Sequence, residues 1–146
     1  CAVTLAWLGL YEGFHGDATR GVPLAEAALR RSPRDPSRGS LLVVLGFAQF
    51  AVRNYAAAAE AAEAALAEAA GSATPLILGA ISWVGAGRLD RAAAAFARVQ
   101  RIAPSLVEAR LAGRWLTSNP DYLARAHTFF RVAAGVAPPE AADALR

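Results

Sequence analysis

The chain has 146 residues, 55% hydrophobic but only 8% aromatic, with a formal charge of +3. That length makes one domain able to bury roughly two thirds of its unfolded surface, and alanine-rich apolar content suits close-packed helices better than a sheet. The small charge excludes binding driven by nucleic-acid phosphates, and the single cysteine excludes an internal disulfide.

The first helical pattern carries Leu5, Leu8, Gly9 and Leu10 and should end near His15-Gly16-Asp17, with Gly at the C-cap. It lacks the basic start of a signal peptide, so Cys1 to Leu10 is expected to be a helix of the fold. A second helix is expected from Ala18 to Arg31, with Pro23 tolerated near its start and Pro33 and Pro36 stopping it. Next come Leu41 to Val52, a turn at Arg53-Asn54, and Tyr55 to Ala70 closed by Gly71. The run Leu41 to Val52 is the most apolar of the chain, yet Gln49 interrupts it and it falls well short of the roughly 20 residues that cross a bilayer. Pro75 to Ala86 and Leu89 to Ile102 follow, joined at Gly87, with Pro104 as terminator. Val107 to Leu116 gives one more helix and Thr117-Ser118-Asn119-Pro120 a break. A last helix, Asp121 to Ala134, is expected to carry Asp121 as its cap, ahead of a tail holding Pro138-Pro139.

These segments repeat. Gly9, Gly46 and Ala80 coincide when the chain is laid on itself; so do Gly21, Ala58 and Ala92, and then Ala28, Ala65 and Val99. Small residues at fixed offsets, with a proline closing a unit, mark tandem helical hairpins whose backbones cross closely. Leu8, Leu45, Trp83 and Phe96 are expected to fill the gaps beside each crossing. The expected fold is an all-α, right-handed solenoid of three hairpins, at about 2–35, 39–72 and 73–106, with 107–146 as C-terminal capping helices. The chain has no Met, and its ends cut into helical pattern, so we expect it to be a fragment of a longer protein.

Leu45-Gly46, Asn54-Tyr55, Ala58, Ala62 and Ala65-Leu66 resemble a tetratricopeptide repeat. So do Trp83, Gly87-Arg88-Leu89-Asp90, Ala92, Phe96 and Pro104, and, less closely, Leu8-Gly9, Gly16-Asp17, Gly21, Ala25, Ala28-Leu29 and Pro33. The first unit departs from the pattern at Glu12, where an aromatic is usual. A narrower resemblance uses Leu29 to Pro36, Leu45 to Tyr55, Ile102 to Arg110, Asn119-Pro120 and Ala134 to Pro138. These are similar to the C-terminal repeat region of bacterial class III adenylate/guanylate cyclases and of related winged-helix regulators. The resemblance implies a non-catalytic, cytoplasmic protein-interaction or regulatory module working by domain docking or self-association. The alternative is a free-standing adaptor that binds an amphipathic helix or apolar peptide.

In such repeats partners lie in the groove lined by the first helix of each unit. By alignment its residues are Val3, Ala6, Leu10 and Phe14; Ser40, Val43, Phe47, Phe50 and Ala51; and Thr74, Ile77, Ile81 and Val84. The candidate partner-binding set is Leu10, Phe14, Val43, Phe47, Phe50, Ile77, Ile81 and Val84, with Phe47 and Phe50 as anchors. No Lys, Arg or Asn occurs among these positions to hold a peptide carboxylate, so an apolar helix fits better. The other possibility is that the chain's own neighbouring segment covers this surface.

Elsewhere the bland explanation is stronger. Glu60, Glu63 and Glu68 should face Arg91, Arg98 and Arg101 across stacked helices in surface ion pairs worth about 0–1 kcal/mol each. Arg30, Arg31, Arg34 and Arg38 form a basic turn without the aromatics of a nucleic-acid reader. Glu60 and Glu63 have no His or Cys companion to make a metal site. Cys1, His15 and His127, the only thiol and imidazoles, show no spacing for nucleophilic catalysis, and His127 beside Phe129 and Phe130 suits packing of the cap. No cofactor, nucleic-acid or membrane partner is expected.

Overall fold

The computed structural model describes all 146 residues, Cys1–Arg146, as nine α-helices with no strand. They are α1 (Ala2–Phe14), α2 (Ala18–Arg31), α3 (Arg38–Ala51), α4 (Tyr55–Glu68), α5 (Ala73–Gly85), α6 (Leu89–Ile102), α7 (Pro104–Leu111), α8 (Pro120–Ala133) and the single turn α9 (Glu140–Asp143). Each of the first six packs on its neighbour in sequence, and the odd helices α1, α3 and α5 also touch one another in a row.

Small residues make these contacts close. Gly9, Gly21 and Gly46 are buried, as are Ala28, Ala58, Ala65, Ala80, Ala92 and Val99. A Cβ on Gly9 would sit 3.2 Å from the carbonyl oxygen of Gly21, and one on Gly21 would sit 3.1 Å from that of Gly9. Between α3 and α4, a Cβ on Gly46 would stand 3.3 Å from the Ala58 carbonyl oxygen and overlap the Leu78 side chain. Backbone therefore lies against backbone, and only small side chains permit it. The large residues beside the crossings divide. Trp83 is buried, Leu45 and Phe96 are half-buried, but Leu8 is 41% exposed and fills no gap.

Several ends differ from expectation. Pro104 follows the end of α6 at Ile102 as expected, but it also opens α7, where its missing N–H is one the first turn leaves unbonded anyway. Consequently α7 ends at Leu111, five residues before Leu116, and Gly113, at φ 86°, turns the chain. The cap of α8 is Asn119, not Asp121. Its Oδ1 accepts from the backbone N–H groups of Asp121 (3.0 Å) and Tyr122 (3.2 Å). His15, not Gly16, is the C-cap of α1. Left-handed backbone falls instead at Gly87 (φ 78°) and, one unit earlier, at Arg53 (φ 65°). The tail after Pro139 adds the turn α9.

The departure at Glu12 has a structural counterpart. Its buried carboxylate accepts from the Asp17 backbone N–H at 2.7 Å and pairs with Arg20 at 3.2 Å, closing the α1–α2 turn. At the same register in the third unit, Arg91 stacks over Trp83 at 4.4 Å. The arginine at this position pairs with Glu12 in the first case, and in the other it adds a cation–π contact to its ion pair with Glu63.

Candidate functional site

The decisive geometry belongs to the C-terminal segment. After α7 the chain folds back, and α8 packs on α5, α6 and α7 while its first turns reach α1 and α3. The C-terminal segment as a whole places side-chain donors on carbonyls at the ends of α1, α3 and α5. Thr117 Oγ1 donates to the Phe14 carbonyl at 2.9 Å, at the end of α1. Arg125 donates through Nη1 to Phe50 O at 2.7 Å and through Nη2 to Ala51 O at 3.1 Å, at the end of α3. Arg146 donates through Nη2 to Val84 O at 2.9 Å and through Nε to Gly85 O at 3.0 Å, at the end of α5. A guanidinium is well matched to the negative end of a helix.

Arg125 is 1% exposed, and its charge is matched on several sides. Asp121, one turn earlier, accepts from its Nε at 3.0 Å and pairs with Nη2 at 2.9 Å, while Asp121 Oδ1 accepts from Arg53 at 2.7 Å. The guanidinium lies 5.0 Å from the Phe50 ring centroid and 5.7 Å from that of Tyr122. Partial burial pushes the Asp121 carboxyl up. The hydrogen bond from Arg53 and the charge and hydrogen bond of Arg125 outweigh it, holding the group below its ordinary 3.8.

This segment decides the fate of the candidate groove. Phe50, Ile81 and Val84 are fully buried in the same hydrophobic cluster as Tyr122, Phe129 and Phe130 of α8. Phe50 meets Tyr122 and Phe129 edge-to-face, with centroids 5.1 and 5.9 Å apart. The expectation that Phe50, Ile81 and Val84 present themselves to a partner is therefore corrected, because the chain's own eighth helix covers them. Phe50 is a core residue and no anchor.

The other five candidates remain together. Leu10, Phe14, Val43, Phe47 and Ile77 line a trough of about 680 Å³ between α1, α3 and α5. Phe14 and Phe47 meet at 5.1 Å on its wall, and Phe14 meets Tyr122 at 5.2 Å. Val3 of α1, Trp7 of α1 and Leu116 beyond α7 line it too and are 48%, 67% and 73% exposed. Sequence alignment missed several lining residues inside the repeats, Trp7, Leu41 and Glu68 among them, and also Arg110, Trp115, Leu116 and Tyr122, which lie beyond the three hairpins. The trough is not devoid of basic groups either. Arg110 of α7 supplies one, whereas α1, α3 and α5 contribute no basic residue to the lining. Only the change of chain direction after Gly113 could have signalled this, and it does not specify where the chain goes.

The remaining candidates are scattered. Arg91 pairs with Glu63 at 3.5 Å, Arg38 with Glu68 at 3.7 Å and Arg30 with Glu26 at 3.8 Å, all on the surface. Arg98 donates to the Ala70 carbonyl at 3.5 Å. Cys1 is exposed, with its sulfur 3.5 Å from Thr4 Oγ1. His15 Nδ1 is 2.7 Å from Ser118 Oγ, and His127 Nε2 is 3.0 Å from the Leu111 carbonyl oxygen, so the two imidazoles sit in separate places. No three His, Cys, Asp or Glu side chains converge as metal ligands, and no helix is long and apolar enough to cross a membrane.

No protein-family model and no curated protein matches the chain.

Proposed function

We propose that the chain is a non-catalytic interaction and regulatory module of tetratricopeptide type, a right-handed solenoid whose three helical hairpins are closed by α7–α9. The reading places it in the C-terminal region of a bacterial signalling protein, a nucleotide cyclase or a winged-helix regulator, in the cytoplasm. There it docks another domain, or a second copy of itself, through the apolar trough. A free-standing adaptor for an amphipathic helix uses the same surface.

One observation carries the reading: the row α1, α3 and α5 leaves an open apolar trough beside a region that α8 has filled. The side chains around its mouth, Val3, Trp7 and Leu116, are large apolar groups in water, which marks a recognition surface more than a stability device. The supporting likeness lies in the small-residue register, whose residues are buried throughout α1 to α6 and lie at the close crossings of α1 with α2 and α3 with α4.

The test is site-specific crosslinking. A photoreactive phenylalanine analogue at Val43 should capture a defined polypeptide segment in cells, and Phe47→Asp should remove that product while leaving helicity unchanged. A probe at Val43 that crosslinks to no polypeptide, under conditions where the same probe at the covered position Phe50 reacts with α8, would end this reading.

A further inference from the structure

The trough contains one basic residue and one acidic residue, and only one of them is spoken for. Glu68 is engaged by Arg38 at 3.7 Å. Arg110 takes part in none of the eight ion pairs of the molecule. A single guanidinium hydrogen bond, from Nη1 to the Arg114 carbonyl at 2.6 Å, uses one of its five donors. The group is half-buried and lies 5.3 Å from the Trp115 ring centroid, which fixes its plane. Trp115 in turn donates through Nε1 to the Arg110 carbonyl at 3.1 Å. Partial burial lowers the pKa of Arg110 from its ordinary value.

One residue of the lining also carries an unsatisfied polar atom that is itself enclosed in protein. Tyr122 lines the trough, is 2% exposed, and its hydroxyl has no hydrogen-bond partner. Such a group costs about 1–3 kcal/mol when it is left unpaired. The rest of the lining is mostly aliphatic and aromatic, with neutral hydroxyls at Ser37, Ser40, Ser72 and Thr74. About 680 Å³ falls within the size range of small-ligand sites, whereas a helix about 10–12 Å across would rest on the mouth without filling the depth.

We infer that the trough binds a long-chain monocarboxylate, its alkyl chain laid over Phe14, Phe47 and Ile77 and its carboxylate received by Arg110. The uncompensated guanidinium selects an anion, and the apolar floor selects a chain. A carboxylate presents the two oxygens that the free Nη2 and Nε donors can meet side by side. This inference stands apart from the docking of a protein partner and does not need it.

Calorimetric titration of the isolated chain with laurate, dodecanol and dodecyltrimethylammonium tests it, with emission of Trp7 and Trp115, both on the trough, as a second readout. Laurate should bind saturably with one site per chain, and dodecanol about tenfold or more weaker, the loss expected for a hydrogen bond to a charged group. The cation should not bind. Arg110→Gln should bring laurate to the level of dodecanol without moving the melting temperature. Val43→Trp should block both; if that variant melts early, Ser40→Phe at the exposed mouth serves instead. Equal affinity for laurate and dodecanol, unchanged laurate affinity in Arg110→Gln, or uptake without saturation overturns the inference. So does an uncharged amphipathic peptide that binds wild type and Arg110→Gln alike while laurate does not bind.

Discussion

Arg125 holds the last turn of α3 by donating to the Phe50 carbonyl at 2.7 Å while its guanidinium lies 5.0 Å from the ring centroid of the same residue. Side chain and main chain of Phe50 are thus both covered by one residue of α8, 75 positions later in the chain. This contact joins the C-terminal segment to the repeat-like part of the molecule.

Removing the Arg125 guanidinium takes its donors from the Phe50 and Ala51 carbonyls and from the Asp121 carboxylate, which keeps only Arg53. Arg125→Ala should cost about 3–5 kcal/mol, the range for breaking a buried charged network from one side. Arg125→Lys should recover only part of that, since an ammonium cannot meet Phe50 O, Ala51 O and Asp121 in one plane. Midpoints of urea unfolding for the three proteins check the order; a wild-type midpoint for Arg125→Ala contradicts it.

Phe50→Asp should disrupt the fold, because the residue is fully buried among Tyr55, Tyr122 and Phe129. Even Phe50→Ala should cost about 3–5 kcal/mol. Trp7→Ser and Leu116→Ser, at the exposed mouth of the trough, should change stability by less than about 0.5 kcal/mol. Thermal melts of the four variants separate the covered residue from the open ones.

Gly46 stands where α3 comes closest to α4. Gly46→Val should overpack against the Ala58 carbonyl and the buried Leu78 side chain, as Ala58→Trp should from the other side. Each is expected to cost about 1–3 kcal/mol or more and to lower the melting temperature clearly. An unchanged value in either would contradict the close crossing.

Asp121 makes stability depend on acid. Its folded pKa lies below the ordinary 3.8 because the hydrogen bond from Arg53 and the charge of Arg125 outweigh its partial burial. The stabilisation is therefore complete above the unfolded value and is lost as pH falls through the lowered folded value. Between pH 5 and pH 2, the stability difference between wild type and Asp121→Asn should shrink. A constant difference over that window contradicts the two-arginine clamp.

The Tyr122 hydroxyl offers a test with the opposite sign. Buried without a partner, it should be dispensable to the fold, so Tyr122→Phe should leave stability unchanged or raise it by about 1 kcal/mol. A loss of more than about 1 kcal/mol in urea titrations would show that the hydroxyl has a partner in solution.

Much of the local structure was legible from the residues. The bounds of α2 and α6 agree with expectation to the residue, because proline at one end and a polar turn at the other delimit an amphipathic stretch. The small-residue register was legible for the same local reason: Gly and Ala recur where packing demands them. Ambiguity lay where one residue type serves two roles. Pro104 can follow one helix or open the next, and Asn119 and Asp121 can each cap α8; only the backbone path chooses between them.

The sequence by itself determined that this chain is helical and where its backbones can approach, since periodicity and side-chain size act within a few residues or across one turn. Only the tertiary structure decided which apolar face is covered. Phe50, Ile81 and Val84 differ from Phe14, Val43 and Phe47 in no local property; they differ because α8 returns across α3 and α5 and Arg125 secures it there. The same return places Tyr122 on the trough, α7 brings Arg110 to it, and the chain after α7 brings Trp115 and Leu116. Burial is a property of the assembled surface, and no pattern along the chain records which of two equally apolar faces the last helix will choose.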